Sequence, residues 1–245
     1  MKSKSKSFVV DAGNTRIKIA VFENNEIKEV MAYEWSDENW KKTLLTIKNA
    51  KSIFSSVIAK KKNEEIKKLF QPTVIFNYKT PLPINISNYK TPETLGLDRI
   101  ANAVAIHNLK KSSNALAIDM GTCIKFDLVN NDFYLGGAIS PGVEMRFKAL
   151  NKFTGKLPFI NIEEVSNSAL VGDSTVNAMT SGVINGVTAE INGIINRYQE
   201  NYKDLTIFLT GGDANRFDLV NKNCIFVDLN LTLQGLFLIL KHNGD

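Results

Sequence analysis

An α/β fold made of two like halves is what this sequence predicts, and two observations predict it. A short apolar strand running into an Asp, a Gly and a hydroxyl residue occurs twice, as Phe8-Val9-Val10-Asp11-Ala12-Gly13-Asn14-Thr15 and as Ala115-Leu116-Ala117-Ile118-Asp119-Met120-Gly121-Thr122. The two copies stand about a hundred residues apart, each followed by another strand, which marks a duplicated unit with a cleft between the copies. Stretches of helical spacing alternate with the strands elsewhere, as a layered α/β protein requires. The halves are set at residues 8–110 and 111–245, after a basic tail at 1–7 that reads as frayed and disordered.

Composition narrows the classes of function. With 44% hydrophobic and 22% charged residues in 245, the chain has an ordinary globular make-up. No apolar run approaches the roughly 20 residues that span a bilayer, and no signal-peptide core follows the basic start. A cytoplasmic protein without a membrane association is expected. The excess of 30 Lys and Arg over 25 Asp and Glu suits a nucleotide enzyme as well as it suits nucleic acid. No zinc-finger spacing or RNA-binding aromatic signature supports nucleic acid, so none is expected. The Lys60-Lys61-Lys62 cluster reads as a solvated helix face. Cys123 and Cys224 match no metal-ligand spacing, and His107 and His242 are isolated, which leaves no zinc site or Ser-His-Asp triad.

In the first half, Gly13-Asn14 marks a tight hairpin into the alternating strand Arg16 to Phe22, with a third strand over Ile27 to Trp35. The hairpin N–H groups and the Thr15 hydroxyl can face phosphate, and Asp11 can hold a hydrated cation. Asp37 to Lys48 and Asn63 to Phe70 read as helices, Ser52 to Val57 and Thr73 to Phe76 as strands. Pro72, Pro81, Pro83 and Pro92 then punctuate a loop. It carries Tyr89, read either as a wall for a small ligand or as a ring packed under its own loop. The loop ends in Thr94-Leu95-Gly96-Leu97-Asp98-Arg99, where apolar spacing from Leu97 to Leu109 starts a helix with Asp98 and Arg99 in its first turn. By itself an Asp there is a capping residue beside a solvent-exposed Arg.

In the second half, Ile124 to Val129 and the stretch from Phe133 are strands, Pro141-Gly142 opens a helix to about Leu150, and 151–158 is a loop. Asp173-Ser174-Thr175 starts a long helix. Its Gly182, Gly186 and Gly193 cost roughly 1 kcal/mol each against Ala, which suits close packing of another backbone in the core or at a subunit interface. Leu205 to Thr210 runs into Gly211-Gly212-Asp213, a turn that lets a flat ring or sugar approach the backbone. Ile225 to Asp228 reads as a strand and Leu231 to Leu240 as a closing helix.

Asp-x-Gly-Asn-Thr, Leu-Gly-x-Asp-Arg, Asp-x-Gly-Thr, Gly-Gly-x-Ile-x-Pro-Gly and Thr-Gly-Gly-Asp stand here in one order over nearly the whole chain. This set resembles the type III pantothenate kinases, of the acetate and sugar kinase, Hsp70 and actin superfamily. The resemblance implies two ribonuclease-H-like (actin-like ATPase) halves with a nucleotide cleft between them. It also implies a homodimer that phosphorylates pantothenate with ATP, magnesium and a monovalent cation, potassium or ammonium, the first step towards coenzyme A. It assigns Asp11, Ala12, Gly13, Asn14, Thr15, Arg16, Ile17 and Lys18 to ATP, with Asp11 near magnesium, and Thr122 to ATP as well. Tyr89, Gly96, Leu97, Asp98, Arg99 and Thr175 fall on pantothenate-binding positions, Asp98 on the catalytic base and Asp119 on the monovalent-cation ligand. The Phe153-Thr154 loop matches a segment reaching the partner's pocket.

Two places depart from the family pattern. Ala12 replaces a larger aliphatic residue, and Cys123-Ile124-Lys125 stands where small or hydroxyl residues are common. Lys125 reads equally as a residue near the phosphates or one pointing away. Three rival readings remain. One is a kinase of the same superfamily acting on another small acid or sugar. Another is a non-enzymatic transcription accessory factor (the Bvg accessory factor kind). The third is a nucleotide-binding scaffold, against which the retention of Asp98 argues.

Overall fold

A computed structural model describes residues 6–165, 168–217, 219 and 225–244. The chain forms two compact units, the first of residues 1–109, 132–134 and 230–245, the second of residues 110–131 and 135–229. Cys224 lies outside the described residues.

The first unit holds strands β1 (Lys6–Ala12), β2 (Arg16–Glu23), β3 (Glu26–Glu34), β4 (Ser52–Ser56) and β5 (Val74–Ile75), in the order β3-β2-β1-β4-β5. β1 begins at Lys6, inside the stretch read as tail. β1 and β2 run antiparallel and β1 and β4 parallel, so β1 is central. The β2–β3 turn is Asn24-Asn25, both at positive φ (54° and 66°), which a two-residue turn matched to strand twist requires. Helices α1 (Asn39–Thr46) and α2 (Lys60–Phe70) help bury a core of Val10, Ile17, Ile19, Trp40, Leu44, Phe54, Ile66 and Phe70. α2 takes in Lys60, Lys61 and Lys62, three residues more than the apolar pattern marks.

Helix α3 (Leu97–Leu109) has the bounds its spacing predicts, and Arg99 to Ile106 are all buried. The chain's last helix packs against it within this unit: Gly235 lies so close to α3 that an added Cβ would sit 1.8 Å from the Ala101 carbonyl oxygen. The Phe237 ring from the same helix stacks on Phe22, centroids 4.1 Å apart.

The second unit repeats the plan with β6 (Asn114–Met120), β7 (Cys123–Asn130), β8 (Phe133–Pro141), β9 (Thr206–Thr210) and β10 (Ile225–Val227). Their order is β10-β9-β6-β7-β8. β6 pairs antiparallel with β7 and parallel with β9, as β1 does with β2 and β4. Helix α4 (Val143–Phe153) runs three residues beyond Leu150, and α5 (Thr175–Asn201) spans 27 residues. Their apolar faces join a core of Leu116, Ile118, Phe126, Phe147, Val187, Ile191 and Ile207. The closing helix, α6 (Leu231–His242), follows β10 but belongs to the first unit. This is the two-unit α/β plan that the repeated motif predicts, and each unit is the ribonuclease-H-like half that the resemblance implies. No described helix is long and apolar enough to cross a membrane.

Gly235→Ala therefore pits a helix-propensity gain of about 1 kcal/mol against a backbone collision that the α3–α6 contact can relieve only by moving a helix. The expected net is a loss of about 1–3 kcal/mol, read as a lower urea midpoint at unchanged m.

Candidate active site

In the first unit, Asp11 is the next-to-last residue of β1, half-buried, and opposite Lys18 in the β1–β2 register. The connection closes through a hydrogen bond from the Gly13 N–H to the Arg16 carbonyl, 3.0 Å, leaving Asn14, Thr15 and Arg16 exposed. The Trp35 indole N–H lies 3.1 Å from the Gly13 carbonyl and 3.2 Å from that of Asn14. With the turn's carbonyls drawn to one donor, its geometry is held from behind. Lys62 Nζ lies 3.6 Å from the Trp35 ring centroid, a cation–π contact that departs from the solvated reading of the lysine cluster. Trp35 has no role in the sequence reading, because its partners stand about twenty residues upstream and no local pattern links them.

Asp98 is half-buried in the first turn of α3, where free N–H groups favour an anion. Its Oδ1 accepts the Arg99 backbone N–H at 2.9 Å. A Cβ on Gly96 would fall 2.7 Å from that oxygen, so the glycine makes room for the carboxylate. Arg99 is only 5% exposed, which corrects the solvent-exposed reading of this pair. A buried guanidinium is held by partners and is costly to place otherwise. Leu97 stands beside them at the start of the helix, half-buried. Tyr89 is half-buried with its ring 5.7 Å from that of the buried Tyr134, so it packs on residues beyond its own loop.

The second unit brings three of its motifs together. Asp119 is the next-to-last residue of β6, just before the Gly121-Thr122 turn, with Thr122 exposed. The Gly142 N–H donates to the Thr122 carbonyl at 3.1 Å, and a Cβ there would meet the Gly121 oxygen at 2.1 Å. Gly211, at φ +95°, lies against Met120 just as closely, its added Cβ falling 2.3 Å from the Met120 carbonyl oxygen. The Asp213 N–H donates to that oxygen at 3.0 Å. Both glycines are thus required by backbone-to-backbone approach, and together they brace the turn. Burial pushes the Asp213 carboxyl up, partly offset by the Arg216 guanidinium, whose Nε is 3.1 Å from Oδ1.

Lys125 faces Asp119 across β6 and β7, Nζ to Oδ2 at 2.7 Å, with both side chains largely buried. A further monovalent ion on this carboxylate would meet that ammonium: like charges 4 Å apart repel by roughly 4 kcal/mol at an effective dielectric of 20. The donor set at Asp119 therefore does not suit a free potassium or ammonium ion.

Thr175, exposed, opens α5, where the Ser174 hydroxyl accepts the Asn177 N–H at 3.2 Å. It lines an apolar groove of about 860 Å³ between α4 and α5 with Arg146, Leu150, Phe153, Leu157 and Met179. Arg146 is held by Glu190 at 2.5 Å, and Glu190 also accepts the Ser140 hydroxyl at 2.5 Å. No local pattern in the sequence marks Glu190, because its partners lie about 45 to 50 residues away. Phe153 is 80% exposed. Apart from α5's own neighbouring residues, no described atom lies within 4 Å of a Cβ built on Gly182, Gly186 or Gly193, so no other described backbone packs closely there.

The model of the type III pantothenate kinase family matches residues 7–197. A type III pantothenate kinase of Christiangramia forsetii is 43% identical, covering 97% of this chain and 98% of its own. One from Bacteroides fragilis is 38% identical over 97% and 98%. Among solved structures, a Baf family protein from Campylobacter jejuni aligns at TM-score 0.61 and 23% identity, over 96% of this chain and 98% of its own. A glucokinase from an Antarctic psychrotroph aligns at TM-score 0.52 and 14% identity, over 97% and 99%. Those two share the fold alone. The sequence relatives match from end to end, and with the family model over most of its length the chain belongs to the type III pantothenate kinases.

Proposed function

We propose that this chain carries out the reaction for which its family is named, with Asp98 as general base: transfer of the γ-phosphoryl group of ATP to the 4′-hydroxyl of pantothenate, the first step of coenzyme A synthesis. The observation that carries the assignment of Asp98 is its setting. It is a half-buried carboxylate in the first turn of α3, with one oxygen fixed by a backbone N–H and a glycine left open beside it.

Phosphoryl transfer passes through a loose transition state, so positioning and charge neutralisation do most of the work. Asp98 orients the pantothenate hydroxyl and takes its proton late, since an alcohol is far too weak an acid for a carboxylate to ionise beforehand. Arg99, the next residue and buried, offers its guanidinium donors to the substrate's carboxylate. Tyr89, Gly96 and Leu97 complete the pantothenate positions of the first unit, and the family resemblance assigns Thr175 to pantothenate as well. The Asp11–Lys18 segment, held by Trp35, and Thr122 take the phosphates of ATP through backbone N–H groups and hydroxyls.

A single carboxylate at Asp11 suits magnesium, which keeps several waters and shares the phosphates; bound there, the ion neutralises phosphate charge. The reading carries with it a cytoplasmic homodimer. The exposed Phe153, Leu170 and Val176, with the uncovered glycines of α5, support a subunit contact along this face.

Purified protein given ATP, magnesium and pantothenate is expected to form phosphopantothenate, read by mass spectrometry. Transfer to a sugar or another small acid with pantothenate inert would replace the substrate. Asp98→Asn is expected to lower kcat at least ~100-fold with an unchanged circular dichroism spectrum; near-normal turnover would remove Asp98 from its role. Gly96→Ala pushes on the end of a flexible side chain, not on backbone, so the fold stays while the Asp98 carboxylate swings away. Its kcat is expected to fall ~10-fold or more with the thermal midpoint little changed. Trp35→Phe removes the donor that clasps the hairpin, and the KM for ATP is expected to rise several-fold while that for pantothenate holds.

A further inference from the structure

Lys125 is the residue that neither the family pattern nor the proposed mechanism absorbs. In the β6–β7 register Asp119 and Lys125 are direct partners, so the pleat sends both side chains to one face of the sheet. Their charged ends meet at 2.7 Å, with side chains 13% and 17% exposed. On the other side of β6 the position opposite Asp119 is Thr210, which is buried. The turn after Asp119 is braced by the Gly142 and Gly211 backbones. The carboxylate is thus fixed between strands, and the cation beside it is part of the chain.

We propose that Lys125 supplies, as a tethered ammonium, the single positive charge that Asp119 would otherwise take from a potassium or ammonium ion, so that this chain works without an added monovalent cation. The inference rests on the kinase reading above. An alkylammonium carries the same unit charge as the free ions and donates hydrogen bonds as ammonium does. Tethered one strand away, it is present at a high effective concentration that a dissolved ion does not match. Removing its charge leaves Asp119 in a largely buried setting that still demands a cation, and the space vacated by the side chain admits one.

The test compares the wild type, Lys125→Ala and Lys125→Arg in choline chloride and in potassium or ammonium chloride at matched ionic strength. Two quantities are read: phosphopantothenate formation, and the thermal midpoint of the nucleotide-free protein. The wild type and Lys125→Arg are expected to change rate by less than about twofold between salts. Lys125→Ala is expected to be ~10-fold slower in choline and to recover in potassium or ammonium. Its midpoint should rise with potassium while that of the wild type does not.

A wild type that needs potassium overturns the proposal, as does a Lys125→Ala protein that is equally active and equally stable in both salts. If Lys125→Ala does not fold in either salt, the wild-type response to potassium decides alone. If the wild type makes no phosphopantothenate in any salt, the reading of function fails instead, and the midpoints still report whether Asp119 takes an ion.

Discussion

The structure depends on one constraint repeated in each unit: a carboxylate near the end of the central strand, with an antiparallel hairpin on one flank and a parallel strand on the other. β1 and β6 both hold this place, and Asp11 and Asp119 lie at matching points on them. Ligands in such sheets gather beyond the strand ends, where the backbone emerges with unpaired N–H groups. The register also decides which side chain each Asp faces, and in both units that residue is a lysine, Lys18 or Lys125.

Holding a polar turn in place without filling the space before it calls for contacts from behind. The first unit uses a side chain: one indole N–H stands within reach of two carbonyls of the Gly13-Asn14 turn, and the ring is itself covered by Lys62. The second uses backbone, with Gly142 and Gly211 pressed on the Met120-Gly121-Thr122 turn at distances that no Cβ would allow. The duplicated units therefore reach the same end by different means. The glycines of the second unit are a packing requirement first, and what they leave open follows from it.

Charge is handled with similar economy. Lys125 is largely buried against Asp119, so that carboxylate has a cation from its own unit close at hand; Arg99, next to Asp98 in sequence, is buried as well. Buried charges of this kind are tolerated because they are paired, and breaking one pair leaves an expensive remnant. That is the physical reason a substitution at Lys125 reports on the carboxylate more than on the lysine.

By itself the sequence determined the element types, the bounds of α3, the two Asp-bearing hairpins and the position of Asp98. Each of these is written in a local pattern: apolar periodicity, a turn residue, an Asp just inside a helix. The tertiary structure decided what depends on partners distant in the chain. Trp35 became the clasp of a turn about twenty residues before it, and Arg99 went from an expected solvent-exposed place to a buried one. The closing helix joined the unit that begins the chain, where Gly235 meets Ala101. Lys125 was ambiguous in sequence for the same reason: a period-two strand says which face a side chain takes, but only the pairing register says what stands across from it.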